Sequence, residues 1–88
     1  MNTLLVVEDE KLIRQGIVTM IRRSSVPVKE ILECRNGEEA LEILKKQRVD
    51  VMFTDIRMPK MDGLTLVNKM EELSQKPVVI VLSGYDEF

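Results

Sequence analysis

Residues 51–59, VMFTDIRMP, run from a solid apolar segment into an acid and, four residues further on, a proline. Val51-Met52-Phe53 suits a strand buried on both faces. Asp55 follows it at once, ill-placed inside a buried strand and oddly placed for a random surface loop. Other runs repeat the pattern. Leu4-Leu5-Val6-Val7 stops at Glu8-Asp9-Glu10, and Val78–Leu82 stops at Ser83-Gly84. Residues 28–34 mix Ile31, Leu32 and Cys34 with Lys29, Glu30 and Glu33, which reads as a shorter, more solvated edge strand.

Helical patterns fill the gaps. Leu12, Ile13, Ile17, Met20 and Ile21 recur at helical spacing, with Glu10 and Arg14 four apart in the favourable order. Ser24, Ser25 and Pro27 close that element. Asn36-Gly37-Glu38-Glu39 is a capping-box pattern with Asn in first place, and it opens a helix carrying Ala40, Leu41 and Leu44 on one face. Asp62-Gly63 precedes a third helix with Leu66, Val67, Met70 and Leu73 inward, broken at Lys76-Pro77. The order β-α-β-α-β-α-β, with strands apolar throughout, predicts an α/β domain: a doubly wound parallel sheet covered on both faces. Right-handed crossovers put every strand's carboxyl end on one edge. Glu8, Asp9, Asp55 and Ser83 therefore gather where open α/β sheets bind ligands.

Composition narrows the function. The 88 residues make one small domain with 44% apolar content, ample for a core. A net charge of −2, from 13 basic and 15 acidic residues mixed along the chain, gives no footprint for nucleic acid. Arg22-Arg23 and Lys45-Lys46 read as solvated helix ends that complement the dipole. With one cysteine and no histidine, the chain builds neither an internal disulfide, a zinc site nor a His-dependent triad. Cys34 reads as a small buried side chain. No positive n-region or membrane-length apolar run is present, so the expected setting is the cytoplasm, with no membrane partner.

Carboxylates converging on one rim repel unless a cation sits between them. Hydrated Mg²⁺ suits such a place, taking one or two carboxylates plus phosphate oxygens. Asp9 and Asp55 are the best direct ligands, and Glu8, one carbon longer, reaches through a water. An oxygen of Asp55 is then placed to attack phosphorus, with the Ser83 hydroxyl near the phosphoryl oxygens. The plainer alternative makes Asp9 and Asp62 helix N-caps and Ser83 the cap of a later helix. Asp50 and Glu71-Glu72 are assigned to the surface.

"LLVVEDE", "FTDIRMPKMDG" and "VVIVLSG" resemble the hallmark segments of bacterial response-regulator receiver domains, over essentially the whole chain. The resemblance implies a flavodoxin-like receiver fold, with four strands in the order 2-1-3-4 and three helices in this chain. It implies that Asp55 accepts a phosphoryl group from a sensor histidine kinase. Glu8, Asp9, Asp55 and the backbone carbonyl of Arg57 would ligate Mg²⁺, with Ser83 as the switch hydroxyl. Pro59 and Gly63 look like loop-shaping residues after the acceptor. Glu8 stands where aspartate is more usual.

Against that family's pattern, residues 1–88 are expected to be the N-terminal part of a receiver lacking its fifth strand and last helices. The phosphoryl-contacting lysine at the end of the fifth strand has no match here. Tyr85 does not stand in for the family's switch aromatic and reads as a surface or partner-contact residue. The expected consequences are an unpaired strand-four edge, an apolar patch left open beside the first helix, and a homodimer or swapped assembly that covers the edge. "SGYDEF" resembles receivers joined to AraC-type DNA-binding modules. The expected function is a signalling domain, not an enzyme; the alternative is a non-phosphorylated interaction or assembly domain. A haloacid-dehalogenase-type phosphatase wants a second aspartate where Arg57 stands.

Overall fold

The computed structural model describes residues 2–55 and 63–82. Strands β1 (Thr3–Val7), β2 (Glu30–Cys34), β3 (Val51–Asp55) and β4 (Val78–Leu82) alternate with helices α1 (Lys11–Arg23), α2 (Gly37–Lys46) and α3 (Gly63–Lys69). The strands form one parallel sheet in the order β2-β1-β3-β4, the doubly wound arrangement and strand order expected from the sequence. The third helix is shorter than its apolar spacing predicts. It gives way to a 3₁₀ turn at Met70–Glu72, closed by the Leu73 N–H donating to the Met70 carbonyl at 3.0 Å.

Direction reverses at β1. The chain leaves β1 toward β2, then returns past β1 to β3 and on to β4. Because each crossover is right-handed, the reversal puts α1 on one face and α2 with α3 on the other. The side-chain period of two divides the strand residues accordingly. Leu5, Val7, Cys34 and Met52 pack with Ala40, Leu44, Leu66 and Met70 under α2 and α3. Leu4 and Val6 pack with Val18 and Ile21 of α1. Two helices shelter one face and a single helix the other.

That asymmetry leaves part of the apolar surface of α1 open, in line with the apolar patch expected beside the first helix. Leu12 is 82% exposed and Met20 65%, and Ile13 is exposed as well, while Val18 and Ile21 carry the buried contact with Ile17 beside them. The helix is amphipathic as read, but its apolar surface is wider than the sheet area available to it. Of that surface, Met20 and Ile21 border an apolar groove of about 360 Å³ running past Phe53 to Val78 and Ile80 of β4.

At the sheet's amino edge Asp50 stays partly exposed, as its surface assignment expects, but it also holds strands together. Its Oδ2 accepts the Thr3 N–H at 2.9 Å and the Asn2 N–H at 3.2 Å, and its main chain bonds Thr3 and Val78. These bonds, led by that from Thr3, hold its carboxyl below the ordinary range. One residue thus ties the starts of β1, β3 and β4 together.

Candidate functional site

The opposite, carboxyl edge carries the site, at the point where β1 and β3 lie side by side and the connections part. Glu8 is the first residue past β1 and is 2% exposed; Asp55, the last residue of β3, is 4% exposed. Asp9 is exposed. Glu8, Asp9 and Asp55 each offer a carboxylate oxygen, all within 4.8 Å of one another. The register explains the convergence: Val7 of β1 pairs with Thr54 of β3, so Glu8 and Asp55, which follow them, stand level at the end of the sheet.

Main-chain anchors hold Glu8. Its N–H donates to the Cys34 carbonyl of β2 at 3.1 Å, and its carbonyl accepts Nη1 of Arg14 at 2.8 Å. Its Oε2 accepts the Glu10 N–H at 3.1 Å. Asp55 is backed by Thr54, fully buried, whose Oγ1 donates to the Asp55 carbonyl at 3.0 Å. Burial is the main cause that pushes the Glu8 carboxyl up to about 7, and the neighbouring Asp9 and Asp55 push the same way against the Glu10 amide.

Oxygen-only donors of this kind fit a hard divalent cation such as Mg²⁺. The buried carboxylate and its crowded neighbours supply the reason: a cation among them would offset both the desolvation and the mutual repulsion. Among the described residues this is the group of His, Cys, Asp and Glu side chains close enough to hold a metal ion. Cys34, by contrast, is buried, with its thiol pushed up to about 12 chiefly by that burial, so it stays protonated and unreactive.

Residues 4–88 match the response regulator receiver domain family. The chain is a receiver domain of the response-regulator family. Along its full length it is 36% identical to the transcriptional regulatory protein YesN of Bacillus subtilis, of which it spans 24%. It superposes with a TM-score of 0.86 on a two-component transcriptional regulator AraC from Clostridium phytofermentans, at 36% identity, covering 99% of this chain and 70% of that one. A TM-score of 0.83 at 24% identity, over 94% of this receiver and 67% of the other chain, relates its fold to the receiver domain of a Pseudomonas aeruginosa sensor histidine kinase. That protein holds a magnesium ion in its active-site cleft.

Of the sequence-derived site residues of this receiver, Glu8, Asp9 and Asp55 come together, while Arg57 and Ser83 lie outside the described residues, as do Pro59, Asp62 and Tyr85. The N-cap of α1 falls on Glu10, which makes no side-chain capping bond, so Asp9 does not cap that helix. Sequence reasoning missed Arg14 and Thr54. Arg14 is hidden by its helical spacing from Glu10, whereas its Nε donates to Glu33 Oε1 of β2 at 3.2 Å. That partner is 19 residues away, and no local pattern signals it.

Proposed function

We propose that this receiver accepts a phosphoryl group on Asp55 from a sensor histidine kinase, and that the protein it belongs to converts that state into an output. The observation that carries the reading is the convergence of Glu8 and Asp9 on Asp55 at the switch point. Receiver domains of response regulators are phosphorylated by such kinases, which supports the choice of donor. A carboxylate oxygen of Asp55 attacks phosphorus on the kinase's phosphohistidine. The O–P bond forms as the N–P bond breaks, and the departing imidazole nitrogen keeps the electron pair and takes a proton from solvent.

Glu8, Asp9, Asp55 and the main-chain carbonyl of Arg57 would hold Mg²⁺, which when bound offsets charge on the phosphoryl oxygens. Ser83 would present its hydroxyl to those oxygens. Glu8 and Thr54, themselves held by main-chain bonds, keep the acceptor end of β3 in place so that little reorganises as the group arrives. The 88 residues act as the N-terminal part of a cytoplasmic receiver, with an AraC-type DNA-binding module as its output. The relatives named as transcriptional regulators support the output, and the lengths spanned support the extent.

An intact-mass measurement after incubation with Mg²⁺ and acetyl phosphate tests the reading. A phosphate-sized gain, absent in Asp55→Asn, is the expected result; no gain from any phosphodonor sinks it for this chain. The second reading, an interaction domain that is not phosphorylated, is favoured by the apolar groove beside α1 and by the edge of β4 that no strand among the described residues pairs. The same features support a homodimer or swapped assembly formed through β4.

A further inference from the structure

Arg14 stands in the first turn of α1 and has no part in the phosphoryl chemistry, yet its side chain is only 12% exposed. The planar guanidinium presents several donors in a fixed fork. One arm reaches the Glu8 carbonyl at 2.8 Å, and Nε reaches Glu33 Oε1 at 3.2 Å. The Glu8 carbonyl belongs to the peptide that links the two acids at the end of β1. With the Glu8 N–H already bonded to Cys34 of β2, both main-chain groups of Glu8 are tied, one to the sheet and one to the helix. Rotation about Glu8 is thereby stopped, and with it the directions in which the Glu8 and Asp9 side chains leave the chain. Asp9 gains nothing from helix capping, since Glu10 is the N-cap and makes no side-chain capping bond. The linking peptide sets where the Asp9 backbone stands, and the Asp9 side chain meets that of Glu8.

The geometry points to Arg14 as a positioning residue for the acidic cluster: by gripping the Glu8–Asp9 peptide it sets the convergence of those carboxylates with Asp55, and so the affinity for a divalent cation. This rests on the reading of the cluster as a Mg²⁺ site. Charge and position make opposite demands here. A guanidinium near a cation site repels the cation, so its removal should tighten binding if charge is all that matters. Loss of the grip should weaken binding.

Calorimetric titration of the 88-residue chain with Mg²⁺ alone, without phosphodonor, separates the two. Arg14→Met is expected to weaken Mg²⁺ binding about 10- to 100-fold, the scale seen when partners that orient metal ligands are removed. Arg14→Lys, which keeps the charge but lacks the fork, should fall between. Glu33→Gln should weaken binding by about two- to fivefold, the scale of an exposed ion pair, and keeps the test available if Arg14→Met does not fold by far-UV circular dichroism. A folded Arg14→Met chain that binds Mg²⁺ as tightly as the parent, or more tightly, overturns the inference. So does unchanged binding in both Arg14→Lys and Glu33→Gln. A parent chain that shows no saturable Mg²⁺ binding overturns the site reading along with it, whereas binding lost in Asp9→Asn and Asp55→Asn upholds that reading whatever Arg14 does.

Discussion

Glu8 is 2% exposed, with two other carboxylates beside it, and its pKa is pushed from 4.5 to about 7. A carboxyl whose folded pKa is raised stabilises the folded chain fully below the unfolded pKa, and that contribution is lost as pH rises through the folded one. Without divalent cations, stability should therefore fall between about pH 4.5 and pH 7, by roughly 3 kcal/mol if Glu8 acts alone. Urea unfolding across that range checks this. Glu8→Gln should flatten the profile and leave the chain more stable than the parent at pH 7.5, and saturating Mg²⁺ should flatten it in the parent. An equal slope in Glu8→Gln would remove Glu8 as the cause. At this scale the acids themselves are legible in the sequence, because each ends an apolar run. The partners that hold them are not: Cys34 of β2 bonds Glu8 directly, and Arg14, itself paired with Glu33 of β2, bonds its carbonyl.

Elements whose signals are local are legible in the sequence. The Asn36 cap is an example: its Oδ1 accepts the Glu39 N–H at 2.9 Å, as the capping pattern predicts. The return arm differs by one residue, since Glu39 Oε1 accepts from the Arg35 N–H at 2.9 Å and its carboxylate also pairs with the Arg35 guanidinium. Helix α1 marks the limit of this kind of reading. Its period establishes a helix, but not which part of a broad apolar surface a neighbour covers. Val18→Ala should cost about 1.5–3 kcal/mol, from lost burial and the space left behind. Leu12→Gln should stay within about 0.5 kcal/mol, since Leu12 is 82% exposed. Denaturant melts of both variants test the division, and a Leu12→Gln cost as large as that of Val18→Ala would contradict it.

For the whole molecule, the reversal of strand order at β1 governs what can meet. It brings the end of β1 beside the end of β3 and divides the helices unequally between the faces. Among the described residues β4 has a strand on one side only, and Val78, Ile80 and Val81 are exposed. A twofold antiparallel pairing centred on Ile80 would set Val78 of one copy opposite Leu82 of the next and join the two apolar grooves. The 88-residue chain should therefore sediment as a dimer, and Ile80→Lys, which sets two like charges against each other at the centre, should return it to monomer. A folded, compact monomer of the parent at low concentration is the contrary outcome.

Local rules along the chain suffice for the α/β class, the sequence of elements and the acids at the strand ends. Apolar runs, helical periods and caps are written within a few residues of where they act. The resemblance in three short segments carries the family, and the match over residues 4–88 agrees with it. Tertiary structure alone decides the burial of Glu8 and Asp55, the partners of Arg14 and Asp50, and the share of α1 that meets the sheet. Each depends on contacts between residues far apart in the chain, whose distance and desolvation exist only once the sheet has assembled.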